Sequence, residues 1–391
     1  MSSFLVTGAR AFAALDWIRR LGRSGHRVTA CDSFRHPLCR VSRYLSNFIE
    51  VPPPRQSPVE HALAVRDAAR ESGAEWIIPT CEEIFVLARY RQVFDGVSKL
   101  LSPSFETLAE LHHKGRFATL VNDLPGLGIR APETHELKSR EELDAFATGQ
   151  GGLQAWVLKP VFSRFAAEVL IRPSIKAAAK VTPTPRHPWL AQRFVPGKPL
   201  CTFTIAMEGR ITAHSTYEPS HRSGQGAGFF FEPVESAEVF GFTESLVKHL
   251  GFTGQICFDF IAGPEGLHVI ECNPRTTSGV HLLAQENPLS FLDPACTRLW
   301  PMAPTPRMIT FAMLTEPGRS LTRWTDLLRG KDVVKAPDDR LTHAAGWKMF
   351  RELREREKAL GPGVDMKAAS TYDLEWNGEP LPDLPEQPSA V

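Results

Sequence analysis

No run of apolar residues in this 391-residue chain approaches the ~20 needed to cross a bilayer. The opening Met1-Ser2-Ser3-Phe4-Leu5 has neither the basic region nor the long apolar stretch of a secretory signal. Net charge is nearly absent as well: 45 Lys and Arg stand against 44 Asp and Glu. That balance offers no overall field for nucleic acid or a membrane surface and points to small-molecule chemistry. Cysteine is scattered: Cys31, Cys39, Cys81, Cys201, Cys257, Cys272 and Cys296 form no C-x-x-C pair and no Cys/His cluster. Reduced, buried thiols in the cytoplasm are expected, not disulfides or a zinc site. No Tyr-x-x-x-Lys occurs either, which excludes a short-chain dehydrogenase site.

The length exceeds one ordinary core and suggests two or three domains. Phe4–Thr7 reads as a strand, Gly8-Ala9-Arg10 as a turn, Ala11–Gly22 as a helix with Ala14, Leu15, Ile18 and Leu21 on one stripe, and His26–Ala30 as a second strand. This is the start of an open parallel sheet. Asp32 follows the glycine turn at the distance of a ribose-binding acid, but the turn holds only Gly8 and lacks the glycines that admit a pyrophosphate. A dinucleotide site and a purely structural unit both remain open at this point. Glu82 and Glu83 follow the apolar run Trp76-Ile77-Ile78, where they cap the next helix or face a cleft.

The densest chemistry lies further on. Two β-rich runs, Gln255–Ala262 and Leu267–Cys272, flank Gly263-Pro264-Glu265-Gly266, the composition of a hairpin turn. Alternation puts Glu271 and Asn273 on one face, and a turn of about three residues would set Asp259 directly opposite Glu271. Ile256, Phe258, Phe260, Ile270 and Cys272 would form the apolar face. Two carboxylates and an amide carbonyl on one patch are hard oxygens that suit Mg²⁺, with Mn²⁺ as an alternative. Arg275, close behind in Asn273-Pro274-Arg275, supplies a charge for phosphoryl oxygens. Upstream, Lys159 sits on the apolar strand Trp156-Val157-Leu158-Lys159-Pro160, a costly place for an ammonium without an anion.

Gly254 to Phe260, together with Glu271-Cys272-Asn273-Pro274-Arg275, resembles the metal-binding strands of the ATP-grasp superfamily. The resemblance implies a Rossmann-like domain over residues 1–105, an ATP-grasp fold of two α+β subdomains over 106–188 and 189–300, and a C-terminal helical extension with a flexible tail over 301–391. It implies ATP and Mg²⁺, with Asp259, Glu271 and Asn273 as metal ligands. Lys159 and the helical Lys114 would then meet the phosphates. Leu190 to Gly197 would be the hinge around adenine, with Gln192, Arg193, Phe194 and Val195 at the base. Two features depart from the family. The stretch Val161-Phe162-Ser163-Arg164-Phe165-Ala166-Ala167 has no glycine where a glycine-rich phosphate loop is usual, so Ser163 and Arg164 would act by direct contact. Lys198-Pro199-Leu200 also stands where a ribose-binding acid is common.

Tyr217 to Gly228 is polar and glycine-rich, suited to a lid carrying His221 and Arg222, with Arg222 placed beside Arg275 as a catalytic group. His281, in a segment expected to enter a helix, is a substrate contact or an ordinary helix residue. Thr371–Gly378 is expected as a returning strand. The reaction implied is ligation of a small-molecule carboxylate to an amine through an acyl phosphate, without nucleic acid or membrane partners and with a homodimer admitted. The alternatives are an NAD(P)-binding enzyme working from the N-terminal unit and a non-catalytic ATP-binding regulator. No biotin-bearing Met-Lys-Met and no glutaminase domain accompany the single grasp unit.

Overall fold

The structure is a computed structural model that describes residues 1–163, 168–222, 228–315 and 321–385. Most of the glycine-free stretch (164–167), the glycine-rich centre of the expected lid (223–227) and the end of the tail lie outside these residues.

The first sheet is parallel throughout, in the order β3-β2-β1-β4-β5, from strands β1 (Ser3–Thr7), β2 (Arg27–Asp32), β3 (Asn47–Glu50), β4 (Trp76–Ile78) and β5 (Lys99–Leu100). Its central strand is apolar on both faces because both are covered. Phe4 and Val6 enter the core under helix α1 (Phe12–Arg23), and Leu5 enters the core under α2 (Pro58–Ser72). The α1 core continues into the rest of the molecule, taking in Phe203, Ile205, Met207 and Trp300. Trp17 of α1 donates its indole N–H to Gln255 at 3.0 Å, and Gln255 donates in turn to the Pro79 carbonyl at 2.7 Å. Helix α3 (Glu83–Arg89) follows β4.

Helices α4 (Phe105–His112) and α5 (Lys114–Asp123) lead to a four-stranded antiparallel sheet, β6-β9-β7-β8. Its strands are β6 (Thr134–Leu137), β7 (Trp156–Pro160), β8 (Leu170–Ile171) and β9 (Trp189–Arg193). The expected hinge strand β9 therefore pairs with β7, and the change of sheet comes around Gly197, not at residue 188. Gly197 lies so close to the Ala262 carbonyl that any Cβ would collide with it.

The third sheet has seven strands in the order β14-β13-β10-β11-β12-β15-β16. They are β10 (Lys198–Met207), β11 (Arg210–Arg222), β12 (Gly228–Val234), β13 (Gly254–Gly263), β14 (Gly266–Asn273), β15 (Arg307–Met308) and β16 (Lys331–Asp332). The last two show that the C-terminal extension is not wholly helical. The segment after β14 forms two short 3-10 turns, Ser278–Leu282 and Pro288–Phe291, where a helix was expected.

Residues 371–378 form no strand but turns and irregular backbone, in a strap held where β1 and β2 end, at Arg10 and Ser33. Its anchor is Asp373, which accepts from Arg10 at 3.0 Å, from Arg356 at 3.0 Å and from Ser33. Arg10 also holds Asp32, donating its backbone N–H at 2.7 Å and its Nε at 2.9 Å. The ring of Phe34 is flanked by both guanidiniums, at 3.9 Å from Arg10 and 4.0 Å from Arg356. Burial alone would raise the Asp373 pKa, but Arg10, Ser33 and Arg356 outweigh it and hold the carboxyl down at about 2.

Arg10→Met leaves two buried carboxylates short of their cation and is expected to lower stability by about 3–5 kcal/mol in urea unfolding. The depressed Asp373 pKa adds a pH signature. Its contribution is complete above an unfolded value of about 4 and fades as pH falls toward the folded value. The stability gap between wild type and Asp373→Asn should therefore narrow below about pH 4. A gap that stays constant down to acid pH would remove this role.

Candidate functional site

The hairpin of β13 and β14 brings the acids together, by a different route from the one expected. Gly263 pairs with Gly266, so the turn holds two residues, Pro264 and Glu265. A regular ladder from that turn would have set Asp259 against Ile270. A bulge between Asp259 and Phe260 restores the Asp259–Glu271 pair. It also changes which residue is apolar-facing: Val269 joins Phe258, Phe260 and Cys272 in the core, while Ile270 is only half-buried. The carbonyl of Ile270 instead accepts from the Lys159 ammonium at 3.1 Å.

Asn273 bridges the acids, its amide nitrogen lying 3.2 Å from Asp259 and 3.2 Å from Glu271. Its amide oxygen accepts from Arg275 at 3.0 Å. Two carboxylates on facing strands repel, and burial adds to the cost, so the Asp259 pKa is pushed up to about 6 by desolvation and by Glu271. Burial also opposes the Glu271 charge, but Lys114, Lys159 and the Asn273 amide outweigh it and lower that pKa. A pair of hard carboxylates held by an amide N–H₂ is chemically suited to a divalent cation, and rotation of the amide would present its oxygen as a third donor. Among the described residues, no group of three or more His, Cys, Asp and Glu is arranged to hold a metal, and this site has only two such ligands.

The lysines converge on the same patch from two other elements. Lys159, on β7, is buried and donates to Gln192 on β9 at 2.9 Å. Burial lowers its pKa to about 8, with Glu271 pulling the other way. Lys114 opens α5, where the helix dipole disfavours a cation and favours an anion. Its ammonium lies 3.3 Å from the carbonyls of Val161 and Ser163, 3.4 Å from the Ser163 hydroxyl and 3.9 Å from Glu271. At the end of β9, the N–H of Arg193 is taken by the Glu133 carbonyl and that of the following Phe194 by the Ala155 carbonyl, each at 2.8 Å. A base edge at this hinge would therefore turn to Val195.

Arg275 is held by Glu82 at 3.3 Å, so the buried carboxylate at the start of α3 does not cap the helix. Glu83 instead accepts from the N–H groups of Thr80 and Cys81 and from the Thr7 hydroxyl at 2.6 Å. Arg222 is exposed at the end of β11, and its charge lowers the Asp259 pKa. The other candidate lid group, His221, is tied to Asp326 at 2.7 Å. His281 binds Asp16 at 2.8 Å and belongs to the packing of α1. Asp32 is engaged by Arg10, and the strap lies beside it, so the ribose role is replaced by an ion pair.

One neighbour escaped the sequence reading altogether. Cys201 on β10 stands directly opposite Asp259, and its thiol hydrogen-bonds that carboxylate. All seven cysteines are free. No helix among the described residues is long and apolar enough to cross a membrane.

Residues 118–279 match the family model described as ATP-grasp domain. No curated protein matches the chain by sequence. Among solved structures, N5-carboxyaminoimidazole synthetase from Staphylococcus aureus is 13% identical, with a TM-score of 0.58 over 78% of this chain and 80% of that one. The biotin carboxylase domain of 2-oxoglutarate carboxylase from Hydrogenobacter thermophilus, solved with MgADP, ADP and bicarbonate, is 16% identical, with a TM-score of 0.56 over 77% and 71%. L-amino acid ligase from Bacillus licheniformis is 16% identical, with a TM-score of 0.53 over 73% and 72%. At these identities the likeness is one of fold.

Asp259→Asn removes one of the two opposed charges with little change of shape. Metal-free protein is expected to gain on the order of 1 kcal/mol, while losing the stabilisation that Mg²⁺ gives the wild type. Thermal unfolding with Mg²⁺ and with chelator reads both effects, and a variant that still responds to Mg²⁺ would displace Asp259 from the metal site.

Proposed function

We propose, from the match of residues 118–279 to the ATP-grasp domain model and from the geometry of the site, that the protein is an ATP-dependent ligase that joins a small-molecule carboxylate to an amine. The observation that carries this reading is the convergence of Asp259, Glu271 and Asn273 with Lys114 and Lys159 on one patch. ATP lies between the four-stranded and seven-stranded sheets in this reading. Gln192, Arg193, Phe194 and Val195 hold the base, and Lys114, Lys159 and Ser163 meet the phosphates. Asp259, Glu271 and Asn273 hold Mg²⁺, with Mn²⁺ an acceptable substitute. The bound ion neutralises phosphate oxygens and lowers the cost of charge on the transferring phosphoryl group.

The chain's own residues then do the following. Arg275, held by Glu82, presents its guanidinium to the γ-phosphate, and Arg222 adds charge from the mouth of the cleft. A substrate carboxylate oxygen attacks the γ-phosphorus, the bond to the bridging oxygen breaks and ADP leaves. The amine nitrogen attacks the resulting acyl phosphate, a C–N bond forms, and phosphate departs as the nitrogen loses a proton. Solved proteins of similar fold include an L-amino acid ligase and an N5-carboxyaminoimidazole synthetase, which supports a ligase reading. Residues 1–105 serve as a structural partner in this proposal, since Arg10 and the strap occupy the edge where a dinucleotide would bind.

Mg-ATP at about 100 times its Kd should raise stability by roughly 2.7 kcal/mol, with no comparable effect from NAD⁺ or NADPH. The reverse pattern would move the active site to the N-terminal sheet. With an accepted acid present, hydroxylamine should yield a hydroxamate together with ADP, and Glu271→Gln should abolish both products while retaining the fold. ADP release without hydroxamate from any acid tested would argue against the acyl phosphate.

A further inference from the structure

The strap at residues 371–385 reaches past the first sheet to the phosphate end of the candidate nucleotide site. Lys114 is located by the stretch that follows β7, since its ammonium rests on the carbonyls of Val161 and Ser163. Phe162 lies between those two residues in the chain. Its ring packs against His112 at 5.4 Å, His113 at 5.3 Å and Trp376 at 5.6 Å between centroids. His112 and His113 immediately precede Lys114. The backbone of the lysine and the carbonyls that hold its ammonium therefore meet at one aromatic cluster.

Trp376 is the fixed member of this cluster. It stacks on Phe85 at 5.0 Å with an interplanar angle of 26°, and donates its indole N–H to the Glu379 carbonyl at 2.8 Å. Gly378 presses on Phe162 so closely that a Cβ there would strike the ring, and its φ of +85° disfavours any side chain. On either side the strap is secured by the Arg10–Asp373 ion pair, by Tyr90 donating to the Pro382 carbonyl at 2.7 Å, and by Arg89 with Asp383 at 2.6 Å. The sequence from Val161 to Ala167 has no glycine with which to wrap a phosphate by backbone alone.

We propose that the strap is a working part of the nucleotide site: Trp376 and Gly378, acting through Phe162, position Lys114 and the Val161–Ser163 stretch for the phosphates of ATP. This rests on the ATP reading above. Trp376 touches no substrate and is a positioning residue.

The test compares Mg-ATP with adenosine, which has the base and ribose but no phosphate, by calorimetry on the full chain. Wild type, Trp376→Ala, Trp376→Phe and Gly378→Ala are measured, with circular dichroism to confirm folding. Trp376→Ala and Gly378→Ala should weaken Mg-ATP by about tenfold while adenosine changes by less than about twofold. Trp376→Phe, which keeps a ring, should stay near wild type. Equal losses for both ligands, or no loss in a folded variant, overturn the strap's role even though wild type binds Mg-ATP. If Trp376→Ala does not fold, Gly378→Ala decides. Wild type that fails to bind Mg-ATP brings down the ATP reading itself, and this inference with it.

Discussion

Two carboxylates placed face to face across a strand pair set the terms for everything around them. Left alone, Asp259 and Glu271 would repel in a half-buried cleft. Each neighbour answers that charge: the amide of Asn273 bridges them, Lys114 and Lys159 approach Glu271, and the Cys201 thiol binds Asp259. The two lysines are themselves costly to bury, one at a helix N-terminus and one inside a sheet. They are tolerated because carbonyls and the carboxylates surround them. The cleft is thus a set of charges that are mutually dependent, and an arriving polyphosphate with its cation would complete the arrangement.

The hairpin was readable because it is local. Its acids and turn lie within a few residues of one another, and alternation alone sorts them by face. The register came out as expected for a partly mistaken reason: the extra residue is in the strand at Ile270, not in the turn. Nothing in Gly-Pro-Glu-Gly distinguishes the two, because both give Asp259 opposite Glu271. Only the structure shows that the choice exposes a carbonyl to Lys159 and sends Val269 into the core.

What the sequence concealed was long-range. Cys201 meets Asp259 only because β10 pairs with β13, and Glu82 meets Arg275 only because the first sheet docks on the third. No periodicity reports either contact. Thr371–Gly378 alternates polar and apolar residues as a strand would, yet no strand edge receives it. Its polar and apolar residues instead serve separate anchors, Asp373 on Arg10 and Trp376 on Phe85. The glycine-free stretch, by contrast, was visible as an anomaly from the start, although its support was not.

The ion pair between Arg10 and Asp373 joins residues 363 positions apart. During synthesis Asp373 leaves the ribosome after every group it will bind. The N-terminal sheet, which can form early from neighbouring βαβ units, must meanwhile hold Arg10 with Asp32 as its only carboxylate partner from this network. Loop closure over so long a stretch is entropically slow to reward. In a growing chain the strap can therefore dock only when synthesis is nearly complete, and the same docking sets Trp376 against Phe85 and Phe162. A nascent chain would offer Arg10 its Asp32 partner first and its Asp373 partner last.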